Sequence, residues 1–212
     1  MGTPLVLAVG VSLTGSGRSA AATVRRAAAE RRVVIGGSQE LARASITAPR
    51  SCQPTSRASG YLNPLARARV TSERIDQGVD YAGRGRLAAI GTGKVTYVRT
   101  EATGWPGAFI EYRLLSGPDA GCFVYYAEGL NPVARLHVGE AVAAGQTIAT
   151  IIPGWSTGIE IGWGAGRRTK TLAQQHDGWT QADDDDNVAS RAGRSFSALI
   201  TELGGPAGRV EN

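Results

Sequence analysis

Between residues 78 and 163 the chain is a series of short apolar runs closed by turn residues, at 87–90, 94–98, 108–114, 122–127, 141–142, 147–151 and 158–163. Runs of this length and spacing predict an all-β sandwich or barrel of short antiparallel strands. The phrase VGEAVAAGQTIA at 138–149 reverses the chain twice, with Gly139 and Gly145 placed where a tight turn needs positive φ between alternating apolar residues. GTGKV at 91–95 turns into a strand by the same logic.

Outside that region the pattern changes. Residues 164–187 are polar and include the run Asp183 to Asp186, which reads as a solvated surface loop, its spacing being unlike an EF-hand. Residues 190–203 place Phe196, Leu199, Ile200 and Leu203 at helical spacing and stop at Gly204-Gly205-Pro206, predicting an amphipathic helix docked on the β body. At the start, residues 4–13 form an apolar run of signal-peptide length followed by small residues at 19–22; it is too short to span a bilayer. The basic residues that usually precede such a run are missing, so a buried first strand or helix stays open beside export. Residues 23–32 have helix-forming composition without large apolar side chains, and 33–59 read as a loose connection. The expected organisation is a possible signal peptide at 1–22, a linker or helical lead at 23–59, a β domain at 60–165, a polar loop at 166–189 and a C-terminal helix at 190–204.

A length of 212 residues with 42% hydrophobic content suits one core with ordered extensions. The net charge of +5, carried mostly by arginine, fits an anionic wall polymer, a membrane surface or nucleic acid as partner, or serves solubility alone. No nucleic-acid-binding module is recognisable, and none is expected to bind. Cys52 and Cys122 would be free to pair after export; two separate buried thiols are the alternative.

The order of landmarks narrows the fold. Ile75-Asp76-Gln77-Gly78-Val79-Asp80-Tyr81 comes first, then a Gly-rich turn, Tyr125-Tyr126-Ala127-Glu128, the 138–149 hairpin, and Ser156-Thr157-Gly158-Ile159-Glu160-Ile161-Gly162-Trp163. In this order the chain resembles the lysostaphin/LytM-type peptidoglycan endopeptidases over residues 75–163, a little under half its length. The resemblance implies a duplicated hybrid motif, a mainly β barrel-sandwich. A biotinyl/lipoyl carrier domain has a related hairpin, but Lys94 lacks the flanking Met or Asp of a modified lysine.

Active members of that family hold zinc through His-x-x-x-Asp and a later His-x-His, with one position left open for water. Here the first motif aligns as Asp76-x-x-x-Asp80 and the second as Glu160-Ile161-Gly162, while the family's Tyr-x-His-Leu stretch reads Tyr126-Ala127-Glu128-Gly129. Gly162 offers a metal no side chain. His137 and His176 lie away from the motifs and read as surface or structural residues. These departures from the family's motifs imply no zinc cofactor; Asp76 and Asp80 are the weak metal candidates, for a hard cation such as Ca²⁺ or Mg²⁺.

Three uses of the clustered acids stay open. In one, Asp76, Asp80, Tyr126, Glu128, Glu160 and Trp163 line a ligand groove for peptidoglycan, another envelope component or a protein partner, in a secreted pseudoenzyme. In another, Asp80 and Glu160 act as an acid/base pair on a wall glycan. In the third, Asp76 and Asp80 cap turns or pair with Arg74, Arg84 and Arg86, and Glu160 is a solvated strand residue.

Overall fold

The computed structural model describes residues 52–211. The proposed signal peptide at 1–22 and most of the 23–59 lead lie outside the described residues.

The described chain is mainly antiparallel β. Its strands are β1 (Arg67–Ile75), β2 (Val79–Ala88), β3 (Gly93–Arg99), β4 (Ala108–Leu114), β5 (Phe123–Glu128), β6 (Leu130–Pro132), β7 (Ala141–Val142), β8 (Thr147–Ile151), β9 (Ile159–Arg167) and β10 (Lys170–Thr171). They join in one sheet of order β6-β8-β2-β9-β5-β4-β3-β7, with β1 added to β2 and β10 to β9. One π-helical turn (Ala173–Asp177) and two helices, α1 (Gln181–Asp185) and α2 (Arg191–Glu202), follow. Among the described residues no helix is long and apolar enough to cross a membrane.

Side chains alternate across a strand, and that period sorts this sheet into two faces. Val79 and Tyr81 of β2, Val124 and Tyr126 of β5, and Ile159, Ile161 and Trp163 of β9 enter the main core. The intervening residues Asp80, Tyr125, Glu160 and Gly162 take the other face, where Phe109, Tyr125 and Ala127 make a smaller buried cluster edged by Tyr97 and Trp105. The second face is where the polar residues gather.

The hairpin glycines behave as their positions require: Gly139 and Gly145 have φ of +92° and +76°. Helix α2 starts on Ser190, whose hydroxyl accepts from the Gly193 amide at 2.9 Å, and buries Phe196, Leu199 and Ile200 against the sheet. Glycine at 193 lets the helix approach closely, because a Cβ there would sit 2.5 Å from the carbonyl oxygen of Asp76.

Three features differ from the sequence expectation. Strand β1 alternates exposed Arg67, Arg69 and Thr71 with only partly buried residues, so it lacks the apolar run that marks the other strands. The 166–189 segment is not one polar loop: β9 continues to Arg167, β10 and the π-helical turn follow, and Leu172, Ala173 and Trp179 are buried in the core. The end of the lead is pinned to the body, with Cys52 bonded to Cys122 and the Thr55 amide and hydroxyl both donating to Asp119 Oδ1, at 2.6 and 2.8 Å. The two cysteines are thus one disulfide across a separation of 70 residues, not two thiols.

Candidate functional site

The turn between β1 and β2 sets the site. Asp76 Oδ1 accepts from the Gly78 amide at 3.0 Å, an Asx-type closure that sends the chain back as β2 and leaves Asp80 next to Glu160 in the β2–β9 register. Asp76, Asp80 and Glu160 are all buried, and one oxygen from each lies within 4.8 Å of the others. The sequence-predicted trio is therefore brought together.

A cation from the chain itself stands among them. Arg74, at the end of β1, donates from Nε to Asp80 Oδ2 at 2.9 Å, while its Nη2 lies 3.3 Å from Asp76 Oδ2 and 2.6 Å from Asp184 Oδ1. A guanidinium is always charged and its fork matches carboxylate geometry, so it satisfies several acids at once. Asp184 lies in the acidic run expected to be a solvated loop; helix α1 instead brings this one member of it to Arg74.

On the sheet's second face Tyr125 donates its phenolic hydrogen to Glu160 Oε1. Its ring stacks on Phe109, with centroids 5.3 Å apart, and lies 5.6 Å from the Trp105 ring. Two glycines make the space. A Cβ on Gly162 would come within 2.8 Å of Tyr125 Cε1 and 2.9 Å of its hydroxyl, and one on Gly78 within 2.6 Å of Glu160 Oε1. Real Cβ atoms essentially never approach below 3.0 Å, so side chains at 78 and 162 are incompatible with this Tyr125–Glu160 pair.

Four acids near a single guanidinium do not all ionise readily. Burial raises the Asp76 carboxyl above its usual range, with the Gly78 amide and Arg74 pulling the other way. Burial, then the Asp76 charge, lifts Asp80 to about 8 against the Arg74 hydrogen bond. Glu160 is raised well above an ordinary glutamate, by burial first and then by Asp76 and Asp80. Glu128 rises to about 7 through burial, opposed by a hydrogen bond from Thr157.

Glu128 reaches the site by a backbone device. It pairs with Ile159, whose side chain lies in the core, yet its φ of +76° is left-handed, which breaks the strand alternation at the end of β5. The carboxylate thereby lines a depression of about 400 Å³ with Glu73, Arg74, Asp80, Thr157, Arg209 and Glu211. Left-handed backbone in a non-glycine residue is strained, and such strain gathers at functional positions.

Tyr126 and Trp163 do not line this depression. Both are fully buried in the main core: Tyr126 donates to the Ala88 carbonyl at 2.7 Å, and the Trp163 ring packs edge-on against Phe196 at 5.1 Å. Trp163 stands three residues from Glu160, and an odd separation along a strand places two side chains on opposite faces. Tyr125, one residue before Tyr126, is the tyrosine that faces the acids. His137, exposed, sits beside the Arg135 carbonyl and Glu140, and His176 is exposed beside Gln175; neither belongs to the acid cluster.

The residues present do not suit zinc, the metal of the resembling family. Zinc's usual nitrogen and sulfur donors are replaced by the carboxylates of Asp76 and Asp80, already bonded to Arg74, and of Glu160, bonded to the Tyr125 phenol that fills the space beside Gly162.

No family model and no curated protein matches the sequence. Among solved structures the chain is similar to lysostaphin in its NMR solution structure, at 19% identity and a TM-score of 0.39, over 50% of this chain and 48% of that one. It is also similar to Helicobacter pylori Csd3, at 18% identity and a TM-score of 0.38, over 55% and 35% of the two chains. A zinc containing peptidase from Vibrio cholerae is matched at 17% identity and a TM-score of 0.34, over 58% and 39%. The matched regions span about half or less of the length of those proteins.

Proposed function

We propose that this chain is an exported, zinc-free relative of the lysostaphin/LytM-type peptidases that binds a cell-envelope ligand, peptidoglycan first among them, without cleaving it. The observation that carries the reading is the Arg74 guanidinium bonded to both Asp76 and Asp80. It supplies internally the positive charge that a peptidase takes from its metal, and it has no open coordination position at which to activate water.

Ligand contact falls to the adjoining depression, where Asp80, Glu128 and Glu73 offer acceptors and Thr157 and Arg209 offer donors. This mixed lining suits a peptide stem with amide and amino groups better than an apolar ligand. The Cys52–Cys122 disulfide supports export, since such bonds persist in oxidising compartments. In this reading Arg74 takes the place of a hard cation at Asp76 and Asp80.

Sedimentation of the full chain with insoluble peptidoglycan, run beside a muropeptide-release assay, tests this. Binding without release is expected, with Glu128→Ala and Arg209→Ala each weakening sedimentation. Release of muropeptides that is lost in Asp80→Asn and Glu160→Gln would establish instead a hydrolase working through its carboxylates.

A further inference from the structure

The far ends of β1 and β2 carry an electrostatic anomaly. In their antiparallel register Arg67 stands directly opposite Arg86, and Arg69 directly opposite Arg84. All four are exposed, and among the described residues none makes a salt bridge or a side-chain hydrogen bond. Like charges directly opposite each other destabilise a strand pair, and here the arrangement occurs twice in succession.

The ribbon is built to keep the four guanidinium groups on one face. Gly83 and Gly85 alternate with Arg84 and Arg86 and have φ of +154° and +129°. A Cβ at either would strike the β1 backbone at Arg69 or Ala68, so the glycine side lies tight against β1. Ala68 and Val70 pack toward the core, and the arginines take the outward positions. The register then continues across the sheet: Arg86 pairs with Thr150, and Thr150 with Asn131, both exposed. The row Arg67, Arg86, Thr150, Asn131 thus crosses four strands with donors only or neutral groups.

Protection of a sheet edge, a common use of charge on strands, explains Arg67 and Arg69 on β1. It leaves Arg86 unexplained, because β2 at that residue is paired on both sides, with Arg67 of β1 and Thr150 of β8. We infer that the Arg67, Arg69, Arg84 and Arg86 ladder is a binding surface for a linear phosphodiester polymer of the polyol-phosphate kind, a separate site from the acidic depression and independent of the peptidoglycan reading. Guanidinium groups bind phosphate bidentately. Along the strand the arginines repeat at about 7 Å and across the pair at about 5 Å, giving two parallel rails for a single extended chain. The ladder contains no aromatic side chain on which bases would stack and none of the exposed large hydrophobic residues that would enter a membrane.

The test measures binding of fluorescently labelled poly(glycerol phosphate) to the full 212-residue chain. Native protein is expected to bind, and raising salt from about 50 to about 200 mM is expected to weaken binding about 50-fold, as four phosphate contacts require. Arg84→Ser/Arg86→Ser is expected to lose about tenfold or more, as is Arg67→Ser/Arg69→Ser on the facing strand. Arg99→Ser/Arg135→Ser removes the same charge from exposed positions elsewhere and is expected to leave affinity unchanged. Thermal unfolding at low salt supplies a readout of folding: each ladder variant is expected to melt at or above the native temperature, because the opposed charges are relieved. Equal losses in the ladder and control variants, no binding by the native chain, or tighter binding of duplex DNA at equal phosphate would each overturn the inference.

Discussion

Arg74 Nε lies 2.9 Å from Asp80 Oδ2, and the same guanidinium reaches Asp76 and Asp184. This contact turns a cluster of carboxylates into a closed internal network. Removing the arginine leaves buried acids without their cation, a change that typically costs about 3–5 kcal/mol. Arg74→Ala is therefore expected to lower thermal stability most at pH values above about 8, where Asp80 is ionised, and less at neutral and acid pH, where the carboxyls hold protons. A melting temperature unchanged from native at pH 9 would show that the network contributes nothing.

Gly162 and Tyr125 form a second coupled pair. Gly162→Ala places a methyl against the tyrosine ring, and overpacking of this kind costs about 1–3 kcal/mol. The double variant Gly162→Ala/Tyr125→Val is expected to lose less than the sum of the two single losses, measured by chemical denaturation. Strict additivity would mean that the two residues do not share the space.

Glu128 holds its left-handed backbone at a cost of about 1–2 kcal/mol, which glycine does not incur. Glu128→Gly is expected to raise the unfolding temperature while reducing peptidoglycan sedimentation. That opposition between stability and binding is what a strained ligand-contact residue produces; a fall in both would mark Glu128 as structural only.

The pH dependence of stability has an unusual sign. Asp80 is raised to about 8, and Glu128 and Glu111 to about 7, each chiefly by burial, so the folded chain retains protons that the unfolded chain releases. The contribution of these groups is fully present below their ordinary carboxylate values and is lost as pH rises through about 7 to 8. Unfolding free energy is expected to increase as pH falls from about 8 to about 5. Glu111 lies apart from the four acids, accepting from Thr96 Oγ1 at 2.7 Å and the Gly166 amide at 2.9 Å. Glu111→Gln should accordingly flatten part of the slope without altering ligand binding.

The disulfide closes a long loop, and loop-closure entropy assigns it about 4 kcal/mol. Cys52→Ser/Cys122→Ser is expected to lower stability by that order and to free the 52–60 segment to proteolysis. Equal protease resistance with and without the bond would show that the Asp119 contacts suffice alone.

Much of this was legible in the sequence, for reasons that can be named. The apolar runs at 108–114, 141–142 and 147–151 became β4, β7 and β8 with the same bounds, because each is flanked by residues that break strands. Motif spacing points to Asp76, Asp80 and Glu160, and the three converge. Strand β1 carries no signal in the pattern, since its stability comes from pairing with β2 and from the Arg209 backbone, which accepts from the Ile75 amide at 2.7 Å and donates to Glu73 at 2.7 Å. Trp163 and Tyr126, expected in the groove, lie in the core, as strand parity requires: Trp163 has the parity of the core residues Ile159 and Ile161, and Tyr125 has the parity that faces Glu160. The role of Asp184 had no local signal, because only the path of the chain from β10 through α1 brings it to Arg74. Glu128 shares the parity of Tyr126 and reaches the acids only through its left-handed kink, which sequence pattern does not reveal.

Arg74 takes the cation's place between Asp76 and Asp80. Calorimetric titration of Zn²⁺ and Ca²⁺ into metal-stripped native protein and into Arg74→Ala tests it most directly. No stoichiometric binding of either ion by the native chain, with measurable affinity for one of them appearing in Arg74→Ala, is the predicted result. One tightly bound zinc per native chain, accompanied by release of muropeptides, would contradict it.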